Sequence, residues 1–280
     1  MKVDAHQHFW NFDAVAYRWP TRAEARLYRN IEAPELEPLL RAAGVDRTVV
    51  VQAENSYADT QYLLRTAKAR DWVAGVVGWV PLDRPDEAGA KLQELTKNRH
   101  FKGVRHLIHN EPDPDWVVRD AVIEGLRVLA SFDLPFDVVA VYPAHLKHVP
   151  LLGERVPGLR MVIDHLAKPP IREKRRNGWL SQLQAAAQNP NVFAKVSGLN
   201  TAADPEHWTA EDLKPYIEDA LRLFGAERLM FGSDWPVANL AGDYLTVWNE
   251  TNRALAACSA AEQAAVFGGT ADRFYRLGLA

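Results

Sequence analysis

Two histidines, His6 and His8, stand one residue apart in the stretch DAHQHFW (4–10), directly behind a short apolar start. Side chains two apart on a strand point the same way, so both imidazoles would face one centre while Gln7 faces the other side. With His165 and a carboxylate from Asp234 they would make a set of borderline ligands of the kind zinc accepts. Asp234 could also take a proton from water, metal-bound or free. Other polar residues recur at comparable points along the chain: Gln52, Glu54 and Asn55; Arg105 and His106; Asp164; Lys195 and Ser197; Ser233. Each alone reads as structural. Together they ask for a scaffold that brings several strand ends to one rim.

The elements that could do so are legible. Short apolar, β-branched runs lie at 2–6, 47–53, 73–80, 102–106, 135–141, 160–165, 192–198 and 228–234. They are continuous rather than alternating, the pattern of strands covered on both faces. Between them, spacing of the helical kind predicts helices over 33–44, 58–71, 86–98, 114–132, 177–190 and 209–225, with two more near 243–257 and 259–277. Eight strands alternating with helices predict a (β/α)8 TIM barrel spanning 1–280 as a single domain, with its site at the C-terminal strand ends. A doubly wound open sheet is the alternative, but no glycine-rich phosphate loop follows the first strand. The polar stretch KPPIREKRRNGW (168–179) reads as a long loop after the sixth strand, with Arg172, Lys174, Arg175 and Arg176 on a solvated face.

Composition narrows the function. A net charge of −3 provides no basic stripe, which argues against nucleic acid. No apolar run approaches the roughly 20 residues of a membrane span, and the N-terminus lacks an apolar signal core. A single cysteine, Cys258, excludes an internal disulfide and suits a reducing compartment, so a cytoplasmic location is expected. In its alanine-rich helical setting Cys258 reads as a packing residue.

The motifs DAHQHFW, GVRHLIHNEPDPDW, VIDHLAKPPI, KVSGLNT and FGSDWPV, in this order over residues 4–237, resemble the amidohydrolase superfamily, in particular its amidohydrolase-2 branch of sugar lactonases. The resemblance implies hydrolysis of an L-fuconolactone- or L-rhamnonolactone-like substrate, a small-molecule partner. It implies Asp234 as the base, with His6, His8, His165 and Arg105 stabilising the oxygen that becomes negative. It also implies one divalent metal, zinc before others, on His6, His8, His165 and Asp234, or a metal-free site of the kind thought to operate in some lactonases of the branch. Two metals are not expected. The branch's binuclear relatives use a strand-four lysine and a strand-five histidine, whereas this chain has Arg105-His106 and no histidine at the end of strand five. His145 and His148 come later and read as packing residues.

For the sugar hydroxyls, His106, His109, Trp79, Glu54, Asn55 and Trp235 are the expected lining residues, and Trp10 could stack on a sugar face. Arg105 has two readings, a rim salt bridge or a fixed donor fork on the lactone carbonyl. Two rival functions remain at this level: a zinc-dependent decarboxylase of an aromatic acid, and a barrel that only binds a sugar acid. Oligomeric state is not written in the sequence.

Overall fold

The computed structural model describes residues 1–279. Eight strands form one parallel sheet in sequential order: β1 Val3–Gln7, β2 Arg47–Val51, β3 Val73–Gly78, β4 Phe101–His106, β5 Phe136–Val138, β6 Met161–Ile163, β7 Val192–Val196 and β8 Leu229–Phe231. Helices pack around them: α1 Ala33–Ala43, α2 Tyr57–Lys68, α3 Pro85–Leu95, α4 Asp120–Ser131, α5 Val149–Arg155, α6 Asn177–Ala187, α7 Ala210–Phe224 and α8 Tyr244–Ala254. This is the expected (β/α)8 TIM barrel.

The seam between the first and last strands is closed by residues at and just beyond their ends. Asp234 N donates to His6 O at 2.8 Å and His8 N to Trp235 O at 2.7 Å. Asp4 zips the same seam from the side: its carboxylate accepts from Ser233 N at 2.8 Å and from the Tyr244 hydroxyl at 3.2 Å.

A bulge in β1 decides what its side chains face. Asp4 pairs with Thr48 but Gln7 pairs with Val50, so β1 holds one residue more than its partner. Before the bulge, Val3 and Ala5 share an apolar cluster with Val49, Val51, Val77, Val162 and Met230. After it the parity has flipped. His6 meets Lys195 across the interior, and Gln7 turns away to Thr48. An inserted residue of this kind re-aims a side chain. Phe274 and Tyr275 join the same cluster from the short helix Thr270–Tyr275.

Several predicted boundaries shift for physical reasons. β5 and β6 are three residues each, and Asp164 and His165 lie past β6 in a tight turn. The helix predicted over 114–132 starts as a separate turn at Trp116–Val118, and α4 begins only at Asp120. The segment predicted as one helix over 259–277 is broken at Gly268, where an added Cβ would lie 2.2 Å from Met1 O. α5, the helix expected after β5 but given no bounds by the spacing, is only seven residues long. The α7 prediction holds, with Thr209 and Asp212 forming a capping box at its start and Gly225 at φ 67° at its end.

Gly125 shows how closely the outer layer packs: on the buried face of α4, an added Cβ would lie 2.0 Å from the backbone oxygen of Leu82. Gly125→Ala should therefore lower stability by about 1–3 kcal/mol, the range for overpacking. Urea unfolding would read the loss, and an unchanged midpoint would mean that the helix slides freely.

Candidate active site

The site rests on a layer of buried charge. Lys195 on β7 lies 2.5 Å from Asp137 Oδ2 on β5, 3.1 Å from Asp164 Oδ1 and 3.1 Å from His6 Nδ1. Arg105 on β4 donates from Nε to Asp164 Oδ2 at 2.9 Å and from Nη1 to Gln52 O at 3.0 Å. Tyr275 closes the layer from below by donating to Asp137 Oδ2 at 2.7 Å. Burial pushes the Asp137 carboxyl up to about 6 despite Lys195. Burial would raise Asp164 too, but Lys195, His6 and Arg105 outweigh it and hold that carboxyl well below the usual range.

Above this layer stand the imidazoles and Asp234. Asp234 Oδ1 lies 3.4 Å from His8 Nε2, 3.8 Å from His6 Nε2 and 3.8 Å from His165 Nε2. Burial opposes ionisation of Asp234, yet the three imidazoles together keep its carboxyl far below the ordinary range. Burial also lowers His165 to about 4 and His6 well below the usual imidazole value. Near neutrality the site therefore presents a carboxylate beside neutral His6 and His165.

The backbone here is strained. Asp234 has φ 56°, and His165, Leu166, Ala167 and Lys168 run at 54°, 47°, 60° and 51°. A left-handed turn of L-residues costs roughly 1–2 kcal/mol per residue. Trp179 Nε1, donating to Leu166 O at 2.7 Å, and Tyr142 N, donating to Ala167 O at 2.9 Å, hold it in place. Such outliers cluster at functional sites. Gly198 lets the parts meet: an added Cβ would lie 2.7 Å from both Asp234 Oδ2 and His165 Nδ1.

The donor set fits a divalent metal. His8 Nδ1 lies 2.8 Å from Val51 O, an acceptor only, so it carries the hydrogen and Nε2 presents its lone pair. His6 Nε2 is 3.1 Å from that atom. Ligand atoms about 2.0–2.1 Å from a tetrahedral zinc stand about 3.3 Å apart, close to the spacings among His6, His8 and Asp234. A second group, His6, Asp164 and His165, is also compact enough. It shares His6, however, and Arg105 and Lys195 already neutralise its carboxylate.

These residues open onto a cavity of about 700 Å³. Of the residues expected at the site, His8, His165, Asp234, Arg105, Glu54 and His109 line it, and His6 lies just beneath. The structure does not bring Trp79, His106, Asn55 or Trp235 to the cavity wall. His106 stacks on Trp116 with ring centroids 4.0 Å apart, accepts from Trp79 Nε1 at Nδ1 and donates from Nε2 to Glu111 Oε1 at 2.7 Å, so this group braces the wall from behind. Trp235 is buried against Phe9. Glu54 is held by Arg18, with contacts of 2.6 to 2.9 Å.

Sequence reasoning missed Arg18 and Trp19, which reach the cavity from the irregular segment after β1 and carry no periodic signal. It took His145 for a packing residue, whereas His145 lines the cavity, and it left Asp137 inside an apolar run. Lys168 also lines the cavity and was read only as part of a loop.

A family model described as amidohydrolase matches residues 3–277. The chain is 39% identical to an L-fucono-1,5-lactonase of Burkholderia ambifaria, covering 99% of this chain and 96% of that one. It is 35% identical to an L-fucono-1,5-lactonase of Burkholderia multivorans, again covering 99% and 96%. A crystal structure of an amidohydrolase from Burkholderia multivorans with bound zinc superimposes with a TM-score of 0.90 at 32% identity, covering 99% of both chains.

The overlap of the two ligand groups at His6 sets an expectation for metal uptake. Chelator-treated protein titrated with zinc should bind at most one equivalent at the barrel mouth, and His8→Ala should weaken that binding at least tenfold. Two tight equivalents in metal analysis would show that Asp164 is free to ligate after all.

Proposed function

This chain belongs to the amidohydrolase family, and we propose that it hydrolyses a sugar lactone, an aldonolactone such as L-fuconolactone or L-rhamnonolactone, to the sugar acid. One observation carries the reading: an ionised Asp234, ringed by His6, His8 and His165, shares one cavity wall with Arg105. Family membership supports catalysis of a hydrolytic kind, and likeness to L-fucono-1,5-lactonases along nearly the whole chain supports a lactone as substrate. The apolar wall of Leu107, Val139 and Val141 suits a sugar with a deoxy carbon.

In this reading Asp234 takes a proton from water as the water oxygen attacks the ring carbonyl. The carbonyl oxygen becomes negative and needs fixed donors. Arg105 commits Nε and Nη1 to Asp164 and Gln52, leaving Nη2 without a partner among the described residues. His165 is neutral, and with Ser197 Oγ 2.8 Å from Nδ1 donating there, its Nε2–H is a second donor. As the ring C–O bond breaks, Asp234 returns its proton to the leaving oxygen, giving the hydroxy acid. A divalent metal held by His6, His8 and Asp234 would supply Lewis acidity toward oxygen. Asp234 alone, held so acidic, is a weak base toward water.

A panel of sugar lactones in a weakly buffered indicator assay should reveal turnover through acid release. Asp234→Asn should lower kcat by about 10²–10⁴-fold while the protein stays folded, as loss of a general base does. More than a tenth of wild-type kcat after correction for spontaneous opening would remove Asp234 from this role. Carbon dioxide release from aromatic acids with no lactone opened would move the assignment to decarboxylation.

Arg105 is buried and ion-paired, so both sequence readings meet in one side chain. Arg105→Lys should lower kcat/KM by tens- to hundredsfold, about 2–4 kcal/mol for an oxyanion donor. It should also lower the melting temperature, because lysine cannot reproduce the fork that satisfies Asp164 and Gln52. A lowered melting temperature with normal kinetics would make Arg105 structural only.

A further inference from the structure

We infer that Lys168 is a binding residue for a carboxylate, the group that ring opening creates; this rests on the lactone reading above. Three cationic side chains line the cavity: Arg18, Arg105 and Lys168. The Arg18 guanidinium is taken by Glu54, and Arg105 is paired with Asp164. Lys168 has no salt bridge and no side-chain hydrogen bond among the described residues, although it is half-buried. The cavity's own carboxylates are occupied as well, Glu54 by Arg18 and Asp234 by the imidazoles. Among the described residues Lys168 is therefore the one lining cation whose charge is left unmatched.

Its place is built rather than incidental. Lys168 ends the left-handed run that begins at His165, and its N–H donates to His165 O at 2.8 Å. The turn that sets His165 beside Asp234 thus also fixes where the lysine chain starts. Because the backbone strain belongs to the turn, a change of side chain at 168 to another unbranched residue leaves it unaltered.

A lactone is neutral, whereas the opened acid carries a full negative charge on the former carbonyl carbon's oxygens. An unmatched ammonium in the cavity therefore discriminates between the two, and favours the acid over a neutral molecule of the same carbon skeleton. A charge-assisted contact of this kind is worth roughly ten- to hundredfold in affinity.

The test uses calorimetric titration of the full chain with the acid of whichever lactone is opened fastest, L-fuconate if none is, and with the matching neutral alditol. Wild type should bind the acid at least about tenfold more tightly than the alditol. Lys168→Met should abolish that preference and weaken product inhibition equally, while Lys168→Arg keeps most of both. A melting curve for each variant separates loss of charge from loss of fold. Equal binding of acid and alditol by wild type, or a preference that survives Lys168→Met, overturns the assignment. The two proposals fail separately. Lactone turnover without acid preference sinks the role of Lys168 alone. Acid preference lost in Lys168→Met, with no lactone opened, upholds the carboxylate site and sinks the hydrolase reading.

Discussion

Lys195, enclosed in the barrel between Asp137 and Asp164, is the contact on which the rest of the site depends. An ammonium stripped of water is tolerated only when its charge is matched and its hydrogens are used. Here the carboxylates of Asp137 on β5 and of Asp164 in the turn past β6 do both. Asp164 in turn orders Arg105, and it stands 3.3 Å from His6 Nδ1. The imidazoles and Asp234 are thus set by a rigid ionic layer beneath them. Removal of any one of these charges would leave its partners uncompensated in the interior, so the layer stands or falls as a unit.

The cavity above has a different construction. Its outer wall comes from the segment after β1, where Trp10, Arg18 and Trp19 all face the opening. Trp10 is tied down by its indole N–H to Leu27 O and Arg29 O, and Tyr17 donates to Asp59 at 2.8 Å. Arg18 then clips the segment to the loop after β2 through Glu54. A barrel mouth otherwise open to water becomes a deep pocket because an irregular stretch is laid across it and fastened by polar contacts.

Much of this is legible in the sequence alone. The alternation of apolar runs and helical segments specifies the barrel, since each strand buried on both faces must be continuous in hydrophobicity. His6, His8, His165 and Asp234 were readable because short spacing and strand-end position are properties of the sequence itself. The weaker readings share a cause. Trp79, His106 and Asn55 are polar groups near strand ends, but sequence cannot tell a side chain that faces the cavity from one that braces its wall. The β1 bulge is likewise invisible, because it is defined by what β2 does.

The seam has one more consequence. The groups that close the barrel belong to opposite ends of its strand order: Asp4, His6 and His8 on one side, Ser233, Asp234, Trp235 and Tyr244 on the other. Loops that long carry their closure cost before any contact repays it. A ribosome that has delivered the first seven strands has therefore made every histidine of the site but not its carboxylate. The half-finished barrel also lacks the backbone hydrogen bonds that fix the end of β1, where His6 and His8 sit. On the proposed role of Asp234, chemistry and completion of the fold arrive together.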